Sequence, residues 1–349
     1  MAQRPGQAAP RPGTAAGGRA HMLPPRGGPR HSYAALDLGT NNCRLLIARP
    51  SDDGFVVVDA FSRIVRLGEG LGATGRLSDV AMDRAVSALS ICADKLRRRH
   101  VALVRSVATE ACRRATNGPE FVRRVYRETG IALEIITAEQ EARLAVLGCH
   151  ALLEPGEGKA LIFDIGGGST ELVLIDVDSG KPVVHDWYSA PWGVVSLTES
   201  EPHIGSDRDG LMESYARMRA RVADSFSGFA AKLRAAQVPP GRLLGTSGTV
   251  TTLASVHLDL PSYDRRAVDG LIVPAEAMRG ISTKLSGMTV AERATLPCIG
   301  NERADLVVAG CAILDAIMDI WPADRLGVAD RGIREGILRS LMARERISA

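Results

Sequence analysis

Apolar residues along this chain come in two rhythms. Short apolar runs of strand length alternate with longer stretches in which apolar positions recur at helical spacing. Residues 33–38 form an apolar run that ends in Asp37-Leu38-Gly39-Thr40-Asn41, and residues 43–48 and 55–66 predict two further strands. The Gly-containing turn between the first two predicts a β-hairpin. Between 78 and 99 the period changes. Ala85, Val86, Leu89, Cys92, Ala93 and Leu96 fall on one helix face, with Arg97, Arg98 and Arg99 at the C-terminal end, where cations suit the helix dipole. Residues 101–108 then predict a strand, 120–129 a helix, 131–136 a strand and 138–152 a helix.

Pro155, Gly156 and Gly158 mark a linker, after which the opening pattern returns. Residues 160–163 are an apolar strand ending in Asp164-Ile165-Gly166-Gly167-Gly168-Ser169-Thr170, and 171–177 and 182–188 predict the next two strands. A long helix is expected over 207–236. A short strand at 242–245 leads through Thr246-Ser247-Gly248-Thr249 into another helix. Residues 306–320 predict a buried helix, 325–329 a strand and 333–344 a terminal helix. Each half thus begins strand, Asp-Gly turn, strand, strand, which is the signature of an internal duplication. The expected organisation is an α/β chain of two similar domains, 33–153 and 154–332, with the helix at 333–345 completing the first. Ligands favour the cleft between such domains.

Composition alters this picture only at the N-terminus. Residues 1–32 are rich in Pro, Gly, Ala and Arg, lack an acidic residue, and have too little apolar surface to offset chain entropy, so a disordered tail is expected. The tail has no apolar core of the kind a secretory signal needs. Its five arginines exceed the chain's formal net charge of +3, which leaves the body near −2. No nucleic-acid partner is expected on that balance, and no apolar run approaches the roughly 18–20 residues that cross a membrane. The six cysteines form no Cys-x-x-Cys pair and lie mostly in apolar stretches. Reduced, buried thiols in a cytoplasmic protein are the expectation.

The chemistry gathers at the two Asp-Gly turns. A chain of phosphates needs backbone N–H groups that approach closely, which glycine permits, and a cation held by one or two carboxylates. Gly39, Thr40, Asn41 and Asn42 in one turn, and Gly166, Gly167, Gly168 and Ser169 in the other, meet the first need. Asp37, Asp164 and Glu171 meet the second. A tight hairpin alone explains Asp-Leu-Gly-Thr, but three successive glycines after a strand-terminal Asp cost chain entropy and need a reason, and the two turns at the same place in two similar halves point to a ligand. Ser247, Gly248 and Thr249 open a helix whose free N–H groups suit an anion; an ordinary N-cap by Thr246 or Ser247 explains the same residues.

The ordered motifs resemble the exopolyphosphatase/guanosine pentaphosphatase family of the actin–Hsp70–sugar-kinase superfamily, over about residues 33–345. They are Asp37-Leu-Gly-Thr-Asn-Asn-Cys-Arg44, Arg66-Leu-Gly-Glu-Gly-Leu71, Ala108-Thr-Glu-Ala-Cys-Arg113 through Asn117, and Glu141-Ala-Arg-Leu144. Asp164-Ile-Gly-Gly-Gly-Ser-Thr-Glu171, Gly245-Thr-Ser-Gly-Thr249, Arg303-Ala-Asp305 and Gly332-Ile-Arg-Glu-Gly336 follow. The resemblance implies two actin-like, ribonuclease H-like domains around a cleft. It implies hydrolysis of the terminal phosphoanhydride of polyphosphate, with guanosine pentaphosphate as the alternative substrate. It further implies Glu141 as general base, Arg113 on phosphate, and Mg2+, or Mn2+ in its place, on Asp164 and Glu171 with Asp37 nearby. Without it, Glu141 reads as a solvated helix carboxylate. Arg66 and Glu69 are expected to line the cleft, and Arg303 with Asp305 to form at least a structural ion pair. A homodimer is the expected assembly.

Longer members carry a further helical C-terminal region that resembles a metal-dependent phosphohydrolase. Here the seven histidines share no ligand spacing and residue 349 closely follows the last helix, so a shortened polyphosphate groove is expected. Two other readings remain: a non-hydrolytic actin-like nucleotide-binding module, and a sugar or acetate kinase.

Overall fold

The first apolar run becomes the centre of a sheet because both of its faces are covered. In the computed structural model, which describes residues 31–52, 54–178, 181–201 and 207–348, every residue of β1 (Ser32–Leu38) is buried. The sheet is completed by β2 (Asn42–Ser51), β3 (Gly54–Ile64), β4 (Val101–Ala108) and β5 (Leu133–Ile135), in the order β3-β2-β1-β4-β5. β1, β2 and β3 are antiparallel neighbours, whereas β4 and β5 join in parallel. Helices α1 (Leu71–Thr74), α2 (Asp79–Arg98), α3 (Glu110–Arg114), α4 (Gly118–Thr129) and α5 (Ala138–Cys149) belong to this half of the chain.

The second sheet repeats the plan. It contains β6 (Ala160–Ile165), β7 (Thr170–Asp178), β8 (Lys181–Ala190), β9 (Arg242–Thr246), β10 (Ile272–Pro274) and β11 (Arg325–Ala329), in the order β10-β11-β9-β6-β7-β8. With β10 set aside, the two sheets have one topology: an antiparallel three-strand meander whose first strand continues into two parallel neighbours. The helices here are α6 (Val194–Ser200), α7 (Arg208–Ala235), α8 (Gly248–His257), α9 (Arg265–Val268), α10 (Ala275–Ser286), α11 (Val290–Ala294), α12 (Gly300–Arg303) and α13 (Val307–Ile320). The chain closes with α14 (Ile333–Ser348).

Strand parity sets the layers. Ala34, Leu36 and Leu38 of β1, with Cys43, Leu45 and Ile47 of β2, face α2 and α4. The alternate residues Tyr33, Ala35, Leu46 and Ala48 face Ile337, Leu338, Leu341 and Met342 of α14. In the second sheet Leu161, Phe163, Leu172 and Leu174 pack on α7, α8 and α13, while Ile162, Val173 and Ile175 pack on Ala142, Val146 and Cys149 of α5. So α5 and α14 lie between the two sheets, back to back. They can touch because two positions are glycine: a Cβ at Gly148 would overlap the Gly332 carbonyl oxygen, and one at Gly336 the Leu144 carbonyl oxygen.

Several expectations change. Residues 1–30 of the expected tail lie outside the described residues, and Ser32 already belongs to β1. β3 ends at Ile64 rather than Arg66, whose backbone turns left-handed at φ 46. Arg303 and Asp305 do not pair. Arg303 donates to Thr252 Oγ1 at 2.8 Å, whereas Asp305 accepts two bonds from Arg66, at 2.8 and 3.3 Å, across the lobes. Gly70, at the start of α1, donates its N–H to Glu199 of α6 on the same rim. All six cysteines are free; five are buried and Cys298 is half-buried. Among the described residues no helix is long and apolar enough to cross a membrane.

Candidate active site

Each hairpin turn is held from behind by its own lobe. In the first, Gly39 N–H donates to the Asn42 carbonyl, while the carbonyls of Thr40 and Asn41 accept from Gly68 and from Val65 and Arg66. In the second, Gly166 N–H donates to the Ser169 carbonyl. The Gly166 and Gly167 carbonyls accept from Val194, Val195 and Ser196, at the start of α6. With the carbonyls tied back, the N–H groups of Gly167 and Gly168 have no acceptor among the described residues, as an anion site requires. The glycines serve a second purpose that spacing does not show. A side chain at Gly167 would meet Thr40 and Asn41, and one at Gly168 would meet Thr40 and Glu110. The two loops therefore lie against each other across the lobes.

Beside this contact runs a cavity of about 660 Å³, walled by Asp37, Gly39–Asn42, Glu141, Asp164, Gly166–Ser169, Glu171 and Ser247–Thr249. The structure thus brings together every residue expected at the site except Arg113. Arg113 lies behind the wall, donating to the Ile136 carbonyl at 2.8 Å, to Glu141 Oε2 at 3.0 Å and to Glu110 Oε2 at 2.8 Å. Arg66 and Glu69 are also absent from the wall; Glu69 pairs with Arg84. Glu141 is not a solvated helix carboxylate, for only 7% of its surface is exposed.

The duplication gains chemical meaning at the paired positions. Asp37 lies opposite Arg44 in the first hairpin, and Asp164 lies opposite Glu171 in the second. The same place carries a cation in one lobe and an anion in the other. Arg44 and Arg334 both line the cavity, and neither side chain has a hydrogen bond or ion pair among the described residues. Arg44 reaches across the lobes: a Cβ on Gly248 would lie 3.8 Å from its Nη2. Arg265 and Arg331, also in the wall, are already paired with Asp330 and Glu335 and with Asp269.

Charge inside the cavity is unbalanced toward the acids. Burial pushes Asp164 up to about 6, opposed by Arg44 and reinforced by Asp37. Burial and Asp164 push Glu171 up to about 7, against the hydroxyls of Ser169 and Ser189 that donate to its Oε1. Burial also raises Asp37, with Arg44 and Arg334 resisting. Glu141 stands well above the usual carboxylate range because it is buried and faces Glu171, and Arg113 pulls it back down. Asp37 Oδ1, Asn41 Oδ1 and Ser247 Oγ are buried without a partner. Unsatisfied oxygens of this kind, at the wall of a polar cavity, fit a cation and a phosphate group. Among the described residues no three His, Cys, Asp or Glu side chains converge as a ready-made metal cage. Mg2+ fits such a site, since it takes one or two carboxylates and fills its shell with water and phosphate oxygens.

Ser247 is not an ordinary N-cap. It makes no capping bond and sits at φ 120, ψ 172, a region open in practice only to glycine.

Residues 46–345 match the Ppx/GppA phosphatase family. The chain belongs to this family. It is 35% identical over 328 residues to exopolyphosphatase 2 of Mycobacterium tuberculosis, spanning 88% of this chain and 98% of that one. It is 30% identical over 319 residues to a guanosine-5'-triphosphate,3'-diphosphate pyrophosphatase of Aeromonas salmonicida, spanning 89% of this chain and 59% of that one. The crystal structure of the Aquifex aeolicus family member shares its two-lobed fold at a TM-score of 0.74 and 31% identity, covering 90% of this chain and 98% of that one. The α/β, actin-like architecture expected from the sequence is therefore a property of the family. Arg44 closes the motif that begins at Asp37 and Arg334 lies between Gly332 and Gly336, yet the sequence assigns neither a role. Nothing local distinguishes an arginine that is paired from one left free in a cleft.

Proposed function

We propose that this member of the Ppx/GppA family is a cytoplasmic, Mg2+-dependent exopolyphosphatase that releases orthophosphate from the end of polyphosphate. The observation that carries this reading is Glu141: a buried carboxylate, held through Oε2 by Arg113, on the wall of a cavity lined by two glycine loops and two free arginines. Its Oε1 remains available to a water molecule. The N–H groups of Gly167 and Gly168 and the hydroxyl of Ser247 hold the terminal phosphoryl group, while Arg44 and Arg334 neutralise the phosphates that follow. Asp164 and Glu171, with Asp37 beside them, would hold Mg2+, which would offset charge on the phosphate oxygens. The water oxygen bonds to the terminal phosphorus as the bridging P–O bond breaks. The bond's electron pair stays on the bridging oxygen of the shortened chain, and the water proton passes to Glu141. Arg113 acts as a positioning residue for Glu141.

A second substrate, guanosine pentaphosphate, is favoured by one observation. Tyr263, 42% exposed, lines the cavity together with Arg303 and offers a flat face to a base. Orthophosphate release with Mg2+, measured in parallel on long and short polyphosphate, guanosine pentaphosphate and ATP, separates the two. Faster release from polyphosphate is expected; release mainly from the pentaphosphate replaces the first reading with the second. Glu141→Gln is expected to keep its fold and bind phosphate while kcat falls about 100- to 10,000-fold. Wild-type kcat in this variant removes Glu141 as the base.

A further inference from the structure

A second, smaller cavity of about 370 Å³ opens on the other side of the glycine loop. Its wall includes Glu110, Ala138, Ser169, Trp187, Tyr188 and Ser189. Two of these residues, Glu110 and Ser169, also line the main cavity, so the two cavities share part of their walls. Ser189 faces the second cavity, and its hydroxyl donates to Glu171 Oε1 at 2.8 Å, as does that of Ser169. Ala138 belongs to the second cavity and Glu141, three residues on along α5, to the first. Residues at that spacing share a helix face. The second cavity therefore adjoins the reacting end of the site along the α5 face that carries Glu141.

In-line displacement gives this position a meaning. The attacking water and the leaving oxygen stand on opposite sides of phosphorus, so the freed orthophosphate ends on the Glu141 side while the shortened chain still occupies the main cleft. Departure through the cleft would require the chain to leave first. We propose that the second cavity is the exit port for orthophosphate, and the route by which the next water arrives. The proposal rests on the hydrolytic reading above. Its volume far exceeds the roughly 30 Å³ that one water takes in the liquid, which leaves room for a hydrated tetrahedral anion. The hydroxyl protons of Ser169 and Ser189 are committed to Glu171, so they do not hold the anion on its way. The Glu110 carboxylate, partly neutralised by Arg113, repels the anion and keeps the port from retaining it. An enzyme with this exit can shorten one chain repeatedly without releasing it.

The test plugs the port without touching the residues that hold substrate or water. Ala138→Cys in the full chain with Mg2+ is modified by a bulky methanethiosulfonate reagent and then restored with dithiothreitol, with wild type treated identically. Two rates are followed: bond cleavage in a single turnover by rapid quench, and steady-state orthophosphate release. The port predicts that modification leaves single-turnover cleavage within two-fold, slows steady-state release at least ten-fold, and is reversed by reductant. Unchanged steady-state release overturns the proposal, as does an equal loss of both rates, which would mean that the plug disturbs Glu141. Ala138→Phe gives the same comparison without chemistry. The substrate is whichever polyphosphate or pentaphosphate the wild type hydrolyses, so a wrong substrate assignment shows in the wild type and a wrong port only in the plugged enzyme.

Discussion

Ser247 is held in a glycine-like backbone conformation with its hydroxyl buried and unpartnered. Strain of that kind costs about 1–3 kcal/mol, and it is retained here at the mouth of the α8 N-terminus. Ser247→Gly is expected to raise the melting temperature of the free enzyme while raising KM several-fold, because the relief of strain removes the hydroxyl from the phosphate site. Thermal melts beside steady-state kinetics check both halves; a lower melting temperature would mean that the hydroxyl stabilises the fold. The buried acids give a pH signature. Asp164 rises from 3.8 to about 6 and Glu171 from 4.5 to about 7, so the folded, metal-free protein binds more protons than the unfolded chain in that window. Their stability contribution is complete below about pH 4 and is lost as pH rises through 6 and 7. The loss is on the order of 3 kcal/mol per carboxyl. Mg2+, which needs the ionised carboxylates, is expected to raise the melting temperature strongly at pH 8 and little at pH 5. Asp164→Asn should flatten the metal-free pH slope, and an unaltered slope would remove Asp164 from this account. At this scale the sequence was legible where chemistry is local. Asp37, Asp164, Glu171 and the glycines announce themselves by type and spacing. The burial of Glu141 and the diversion of Arg113 onto Glu141, 28 positions away, and onto Glu110 depend on tertiary placement, which no local pattern encodes.

The elements most easily read are α2, with its clean helical period, the two opening meanders, and α13, whose apolar run is unbroken and buried throughout. Helix α10 gives no clear signal in the sequence because its buried face is made of Ala275, Met278, Ser282, Leu285 and Ser286. Two serines and an alanine on the inner side blur the apolar period on which such a reading depends. The contact of α5 with α14 was equally hidden, although both helices were expected. Replacing an interior helical glycine by alanine ordinarily gains about 1 kcal/mol. At Gly336 the sign reverses, because a Cβ there would run into the Leu144 carbonyl. Gly336→Ala is expected to destabilise by about 1–3 kcal/mol, read as a lower denaturant midpoint; a gain would show that the two helices can part at no cost.

Across the whole molecule, the lobes are tied at one rim by Arg66 with Asp305 and by Gly70 with Glu199. The charged pair joins residues 239 positions apart, a distance at which sequence patterning carries no information. Its two side chains are 35% and 32% exposed, so it is worth only about 0–1 kcal/mol of stability. It biases how far the lobes stand apart. Asp305→Ala is expected to leave the melting temperature nearly unchanged while it enlarges the radius of gyration of the substrate-free protein by small-angle scattering and raises KM. An identical scattering profile would assign closure to the glycine loops alone.

Helix α14 follows the last strand of the second sheet, yet its Ile337, Leu338, Leu341 and Met342 fill the inner face of the first. Burying four such side chains is worth about 6–12 kcal/mol at most, comparable with the whole stability of a domain. During vectorial synthesis, therefore, the half of the chain made first is the half completed last. It leaves the ribosome with an open apolar face and waits for some two hundred further residues, while the second sheet acquires nearly all of its partners as a contiguous stretch. Until the final helix emerges, the nascent first lobe depends on other means of shielding that face.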